Sequence, residues 1–353
     1  MDTTINKREQ KVTLPEKLEF GRIFTPHMFE MDYDAEQGGW LEPKITDFRD
    51  LVIHPAAMVL HYGLEIFEGL KAYRQVNGHI ALFRPEKNFE RFNHSAKRLS
   101  MPEVDIDLAL SELKKLIKLD KDWIPHRDGY SLYIRPLMIG TEAVLGVRPG
   151  SKFKMLIILS PVGPYYPEGF KPIPIMATDK YVRAVRKGVG ECKTGGNYAA
   201  SLLAQKEARE KGYSQVLWLD AIEQRYLEEV GTMNLFVRFK DEIATAPLTG
   251  SILPGVTRSS VIRILRDWGY NVQERRVAID ELFDASKEDR LLEVFGSGTA
   301  AVISSVSKLK FHDDVLHLAE NDFGELAMKL YHEITGMQYG KIEDRYGWID
   351  LVE

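Results

Sequence analysis

The chain has 353 residues, 44% hydrophobic and 28% charged, which is ordinary globular material with apolar residues enough for a large core. Its length favours two domains, because a single core stops growing at about 250–300 residues. A formal net charge of −5 and a pI near 6.1 exclude the basic surface of a typical nucleic-acid binder, and a lone cysteine, Cys192, excludes an intrachain disulfide and fits a reducing compartment.

In chain order, Met1–Arg8 is polar and lacks the apolar core of a signal peptide. Roughly the first two dozen residues read as a loosely held tail and an edge segment. Apolar stretches such as Met155–Leu159 are of strand length and too short to cross a bilayer. A cytoplasmic protein with no membrane partner is expected. Phe89–Leu99 is predicted helical from Phe89, Phe92, Ala96 and Leu99. Ile106–Leu119 is a second helix, with Leu108, Leu110, Leu113 and Ile117 on one face. Strands follow at Ser131–Met138 and Phe153–Ser160. Pro and Gly crowd residues 161–172, the best linker in the chain. Beyond it come a strand at Ile173–Ala177 and a helix at Asn197–Lys211 that stops at Gly212. Val216–Leu219, Arg225–Val230, Asn234–Phe239 and Ile243–Ala246 read as short strands in antiparallel hairpins. A helix at Ser259–Trp268 ends at Gly269. The expected fold is α+β, with a smaller N-terminal α/β domain (1–161), a linker (162–172), a larger C-terminal domain (173–353) and the active site between the domains.

The most informative stretch runs Gly188-Val-Gly-Glu-Cys-Lys193-Thr-Gly-Gly-Asn-Tyr198. Glycine lets a planar ligand approach the backbone. A lysine that loses solvation there drops its pKa and can attack a carbonyl to form a Schiff base. A lone lysine is more often a solvated surface charge, so the reading rests on its companions. Glu228-Glu229-Val-Gly-Thr-Met-Asn234 sets carboxylates at the junction of two strands. One of them can hold a ring nitrogen protonated; Glu228 reads as a solvated turn acid. Leu253-Pro-Gly-Val-Thr257 leads into a helix whose free N–H groups suit a phosphate, although threonine near that position more commonly serves as an N-cap. Val294-Phe-Gly-Ser-Gly-Thr-Ala300 places small residues after a strand, as an anion-binding nest or a plain turn. Its glycine spacing is not the dinucleotide fingerprint. Arg91 and Arg183 carry forks suited to phosphate. A nucleophilic lysine, a ring-nitrogen partner, two anion cradles and two arginines make the set that pyridoxal phosphate requires. No metal site is read.

Lys193-Thr-Gly-Gly-Asn-Tyr198, Glu229-Val-Gly-Thr-Met-Asn234, Leu253-Pro-Gly-Val-Thr257 and Phe295-Gly-Ser-Gly-Thr-Ala300 closely resemble the branched-chain amino acid aminotransferases, of fold type IV among pyridoxal-phosphate enzymes. The likeness extends to Phe67-Glu-Gly-Leu-Lys-Ala72 and Leu132-Tyr-Ile-Arg-Pro136, covers about Phe20 to Gly340, and looks like the larger subgroup that includes the animal enzymes. The resemblance implies that Lys193 bears the cofactor, Glu229 pairs with its ring nitrogen and Tyr198 with its phenolic oxygen. It puts Arg91, Val256, Thr257 and Thr299 around the phosphate, and Arg183 and Thr232 near the cofactor. The substrate pocket it implies contains Tyr62, Phe67 and Tyr165, with Tyr133, Leu145 and Val147 reaching in from a second subunit of a homodimer. Arg135 would accept the distal carboxylate of glutamate, and the N–H groups of Thr299 and Ala300 the α-carboxylate. The implied reaction is reversible, ping-pong transamination of L-leucine, L-isoleucine and L-valine with 2-oxoglutarate, with little discrimination among the three.

The chain departs from the animal mitochondrial enzyme in two places. Ala301 and Ser304 stand where that enzyme has a Cys-x-x-Cys redox pair, so that switch should be absent, and Cys192 replaces an aromatic before the lysine. Rival readings on the same fold are a D-amino-acid aminotransferase and an aminodeoxychorismate lyase. A third is a cofactor-binding protein without turnover, against which the intact Lys193 and Glu229 speak.

Overall fold

The computed structural model describes residues 4–5, 14–164, 171–318 and 323–352. The chain is α+β and divides into two compact units. The first comprises Met1–Tyr165, Cys192–Gly195 and Gly336–Glu353; the second comprises Tyr166–Glu191 and Gly196–Thr335. A single cut at 162–172 therefore does not describe the division, and with the two returning segments the first unit holds more residues than the second. The C-terminal return has a backbone cause. Ile349–Val352 pairs antiparallel with Ile80–Phe83, and Trp348 packs edge-on against Phe83 under Arg84. Residues 165–170 of the expected linker, and residues 1–3 and 6–13 of the expected N-terminal tail, lie outside the described residues; within that tail Thr4–Ile5 pairs parallel with Lys44 and Ile45.

Among the described residues, the first unit holds a ten-stranded sheet. Its centre is Lys152–Val162 flanked by Ser131–Gly140 and His27–Asp34, each pairing antiparallel. Two helices cover one face. Pro85–Arg98 starts with proline at its first turn, where no intrahelical N–H bond is lost, and buries Phe89, Phe92 and Ala96. Ile106–Leu119 is capped by Asp105, whose carboxylate accepts the Leu108 N–H at 3.0 Å. Its inner face is Ala109, Leu113, Leu116 and Ile117, with Leu108 and Leu110 only partly buried at its flanks. Against these helices pack Ile66, Leu70, Ala72, Leu132, Ile134, Phe153, Met155, Ile157 and Leu159. Side chains alternate across a strand, so Glu65, Phe67, Lys71, Tyr133 and Arg135 fall on the opposite face.

In the second unit Leu227–Val230, Gln215–Leu219, Ile173–Thr178, Val302–Phe311, Leu291–Gly298 and Met233–Phe239 pair in that order, and the last pairs again with the first. The path closes into a barrel, which removes the sheet edges there. Leu217, Leu219, Val230, Leu235, Val237 and Val294 belong to its core. The hairpins expected between 216 and 246 are present and antiparallel. The helix expected over Asn197–Lys211 is two, Gly195–Ala199 and Leu202–Glu210. Ser201 breaks it by donating its hydroxyl to the Tyr198 carbonyl at 2.7 Å, a local bond that competes with the helical ladder. The next helix begins at Val256, three residues before the expected Ser259.

Candidate active site

Lys193 sits in the first unit through a short segment stitched to its sheet. Its N–H donates to Ser95 Oγ at 3.0 Å and its carbonyl accepts the Phe67 N–H at 2.9 Å. The ammonium lies 4.9 Å from the centre of the Phe67 ring. Burial pushes its pKa down to about 8, the Arg91 charge pushes the same way, and Glu68 opposes both. An amine with that proton affinity is available as a free base near neutral pH.

Glu68 anchors the charges around it. It is fully buried and takes Arg91 in two prongs, Nε to Oε1 at 2.7 Å and Nη2 to Oε2 at 2.9 Å, while Asn88 Nδ2 donates at 2.8 Å. Burial pushes this carboxyl up, but Arg91, Lys193 and Asn88 together hold the group below the usual carboxylate range. Arg135 completes the cluster. Its guanidinium lies 4.7 Å from the Phe67 ring centre and 5.3 Å from that of Tyr133, and its Nη2 donates to Tyr133 Oη at 3.0 Å. Gly69 makes room for Tyr133, since a Cβ there would stand 2.1 Å from the phenol oxygen. An amine, two aromatic rings and an arginine are thus neighbours in one chain. Tyr133 lies beside Arg135 of its own chain, two residues along the same strand.

The second unit carries the remaining set. Glu229 is buried on Leu227–Val230; its Oε1 accepts the Leu253 N–H at 2.8 Å and its Oε2 lies 3.1 Å from Arg183 Nε. Arg183 also donates Nη2 to the carbonyls of Gly190 and Ser251. The ion pair with Arg183 compensates the charge of the buried Glu229 carboxylate. Leu253 precedes the turn into Val256–Asp267, whose N-cap is Gly255 with no side-chain capping bond. Thr257 is therefore the second helical residue and not the cap, and the helix start presents N–H groups that suit an anion. Gly255 is required by close approach, because a Cβ would meet Asn234 Oδ1 at 2.1 Å.

Two expectations are corrected here. Glu228 is a buried acid, 6% exposed, not a solvated one; Ser251 Oγ donates to it at 2.5 Å, and burial pushes its pKa up to about 6. Gly296 and Gly298 lie inside the strand Leu291–Gly298 rather than after it, and Gly296 is small because Met233 Cε and Val230 Cγ1 stand 2.9 and 3.0 Å from where its Cβ would be. Only Thr299–Ala301 form the turn that follows. Tyr198, Thr299 and Ala300 are half-buried and Thr232 is exposed. Tyr62, Leu145 and Val147 are exposed at 41%, 64% and 85%, with Tyr62 Oη donating to the Leu145 carbonyl. Tyr165 lies outside the described residues. Sequence reading missed Glu68 as the partner of Arg91, Glu65 beside Gly195, and Ser251 between Glu228 and Arg183. The only signal for the first was its place in Phe67-Glu-Gly69.

The amino-transferase class IV family matches residues 65–309, more than half of the chain. The chain belongs to the class IV aminotransferases. Among the relatives of this aminotransferase is the branched-chain-amino-acid aminotransferase 2 of Bacillus subtilis, 54% identical over 334 residues, covering 95% of this chain and 92% of that one. A probable branched-chain-amino-acid aminotransferase of Staphylococcus epidermidis is 53% identical, with 97% of both chains covered. Among solved structures, the Escherichia coli branched-chain amino acid aminotransferase superposes with a TM-score of 0.74 at 28% identity, covering 88% of this chain and 97% of that one. A second branched-chain amino acid aminotransferase, complexed with N-(5'-phosphopyridoxyl)-L-glutamate, gives 0.71 at 27% identity, covering 92% and 98%.

Proposed function

We infer that this protein transfers the amino group of L-leucine, L-isoleucine and L-valine reversibly to 2-oxoglutarate, with pyridoxal phosphate as cofactor. The observation that carries the reading is the desolvated Lys193 amine, held beside Phe67, Tyr133 and Arg135 in one unit. Relatives more than half identical over nearly the whole chain are branched-chain-amino-acid aminotransferases. The residues present fit the cofactor on three counts: a lysine with depressed pKa, a buried carboxylate paired with Arg183, and a helix start without a side-chain cap.

Pyridoxal phosphate, when bound, supplies an aldehyde for amines and a ring that accepts the electrons released at the substrate Cα. Lys193 would hold it and, once displaced by the substrate, its Nζ would take the Cα proton and return it. Glu229, paired with Arg183, would accept a hydrogen bond from the ring N–H. We assign Arg91, Val256, Thr257 and Thr299 to the phosphate, Tyr198 to the phenolic oxygen, and Thr232 to the neighbourhood of the ring. Thr299 and Ala300 would offer N–H groups to the α-carboxylate. Phe67, Tyr133 and Tyr165 would line the side-chain pocket, excluding water from an aliphatic group. Arg135 would receive the second carboxylate of glutamate; its Nε is buried without a hydrogen-bond partner among the described residues, which supports a donor role. We further propose a homodimer, supported by the exposed apolar residues Tyr62, Leu145 and Val147. No helix among the described residues is long and apolar enough to cross a membrane, and the single cysteine supports a reducing, cytoplasmic setting.

The test is an absorbance spectrum of the purified, cofactor-loaded protein with and without L-leucine, alongside borohydride reduction. Leucine should convert the bound cofactor to its amine form, and D-alanine should not. Lys193→Ala should abolish both turnover and borohydride fixation of the cofactor; undiminished transamination by that variant would refute the assignment.

A further inference from the structure

The strand Glu65–Phe67 is three residues long, with Ile66 fully buried in the core and its two neighbours turned the other way. All three residues of Lys193–Gly195 are tied to it, 193 and 195 by their backbone and 194 by its side chain. The Phe67 N–H donates to the Lys193 carbonyl at 2.9 Å. Thr194 Oγ1 donates to the Glu65 carbonyl at 2.8 Å. The Gly195 N–H donates to Glu65 Oε1. The carboxylate lies so close over Gly195 that a Cβ there would sit 2.0 Å from Oε1 and 3.1 Å from Cδ. Gly196, by contrast, has nothing within 4 Å of a built Cβ. The first glycine after the lysine is therefore small to admit a protein carboxylate.

Burying a carboxyl is costly unless it is hydrogen-bonded, and burial pushes Glu65 above its ordinary pKa, against the opposing Gly195 hydrogen bond and the Arg135 charge. An apolar residue would fill this place at less cost to stability, so the acid is matched to the segment it grips.

We propose that Glu65 is a positioning residue for Lys193: with Phe67 it holds residues 193–195 as an added rung on the sheet, so that the lysine's amine stays in the cluster of Phe67, Glu68 and Arg91. The inference rests on Lys193 being the cofactor lysine. Glu65 touches neither the amine nor the reacting atoms. Its carboxylate acts through the Gly195 N–H, while its backbone carbonyl takes the Thr194 hydroxyl whatever the side chain, and losing the carboxylate frees the backbone that aims Lys193.

The test compares Glu65→Ala, Glu65→Gln, Gly195→Ala and the double variant Glu65→Ala/Gly195→Ala. In the leucine/2-oxoglutarate reaction Glu65→Ala should lose roughly 10- to 100-fold in kcat, the scale of a misplaced catalytic group, with KM for leucine changed by less than about threefold. Glu65→Gln, whose amide oxygen still accepts the Gly195 N–H, should keep kcat within about threefold of the parent. Gly195→Ala should lose kcat through collision with the carboxylate, and Glu65→Ala on top of it should recover part of that loss. A second readout needs no turnover: the pH midpoint for trinitrophenylation of Lys193 by trinitrobenzenesulfonate, with release of sulfite, in cofactor-free protein. That midpoint, near 8 in the parent, should rise toward the ordinary lysine value in Glu65→Ala and stay put in Glu65→Gln. Parental kcat and midpoint in a folded Glu65→Ala would overturn the proposal, as would a double variant no better than Gly195→Ala. If Glu65→Ala does not fold, Glu65→Gln and Gly195→Ala decide. A parent protein that fixes no cofactor with borohydride would sink the functional reading instead, while the trinitrophenylation midpoints would still judge Glu65.

Discussion

Replacing Lys193 by methionine should stabilise the cofactor-free protein at neutral pH. Met keeps the length and apolar stem of the side chain and removes the charge. In the folded chain the amine gives up its proton near 8, in the unfolded chain near 10.5. Between those values the unfolded chain binds more protons, so stability rises with pH. Below about 8 both states hold the proton, and the native fold carries the full penalty of an ill-solvated ammonium. The gap from 10.5 to about 8 corresponds to roughly 3 kcal/mol. Glu68 is not orphaned by the change, because Arg91 and Asn88 still hold it. Lys71, also pushed by burial to about 8, is common to both proteins and cancels in the comparison. Thermal denaturation of parent and variant across pH 7 to 10.5 should show the variant several degrees more stable at the acid end, with the advantage gone at the alkaline end. A gap that does not change with pH, or a variant less stable at pH 7, would refute the claim that the amine is desolvated. The active site would then store no strain in its lysine.

Three further outcomes are expected. Arg135→Ala should cost glutamate roughly 10- to 100-fold in kcat/KM, the worth of a charge-assisted hydrogen bond, and leucine far less; steady-state kinetics showing equal losses would contradict its role as the carboxylate receptor. Glu228, held at about 6 against an ordinary 4.5, binds its proton more tightly folded than unfolded, so parental stability should fall by roughly 2 kcal/mol as pH rises from 4.5 to 6. Urea titrations of Glu228→Gln should lack that fall, and parallel profiles would mean the carboxyl is not desolvated. Gly296→Ala should destabilise the second unit by about 1–3 kcal/mol through contact with Met233 and Val230, with partial recovery on adding Met233→Ala; a neutral Gly296→Ala would leave that glycine without a packing reason.

Much of the fold was legible because its signals are local. The helix Ile106–Leu119 has its expected bounds, since an Asp cap and a 3.6-residue apolar stripe are both short-range features. The hairpins between 215 and 245 follow from alternation and turn residues. Errors arose where a distant partner decides. Ser201 splits a helix whose periodicity runs through it, by a bond to Tyr198. Glu228 looked like a turn acid beside Glu229, and only the fold brings Ser251 to it from 23 residues away. Glu68 was not legible as a partner of Arg91, because 23 residues separate them and only the fold brings them together.

The sequence by itself determined the chemistry: a lysine among glycines, a strand-borne glutamate and a Pro-Gly helix start are covalent facts, in an order that names the cofactor and the family. Only the tertiary structure decided the state of those groups. The proton affinity of Lys193 depends on lost water and on Arg91 and Glu68, which lie about a hundred residues away along the chain. The return of Ile349–Val352 to the first sheet depends on an open strand edge at Ile80–Phe83. Solvation and strand pairing are set by what approaches through space, and a residue's chain neighbours carry no record of it.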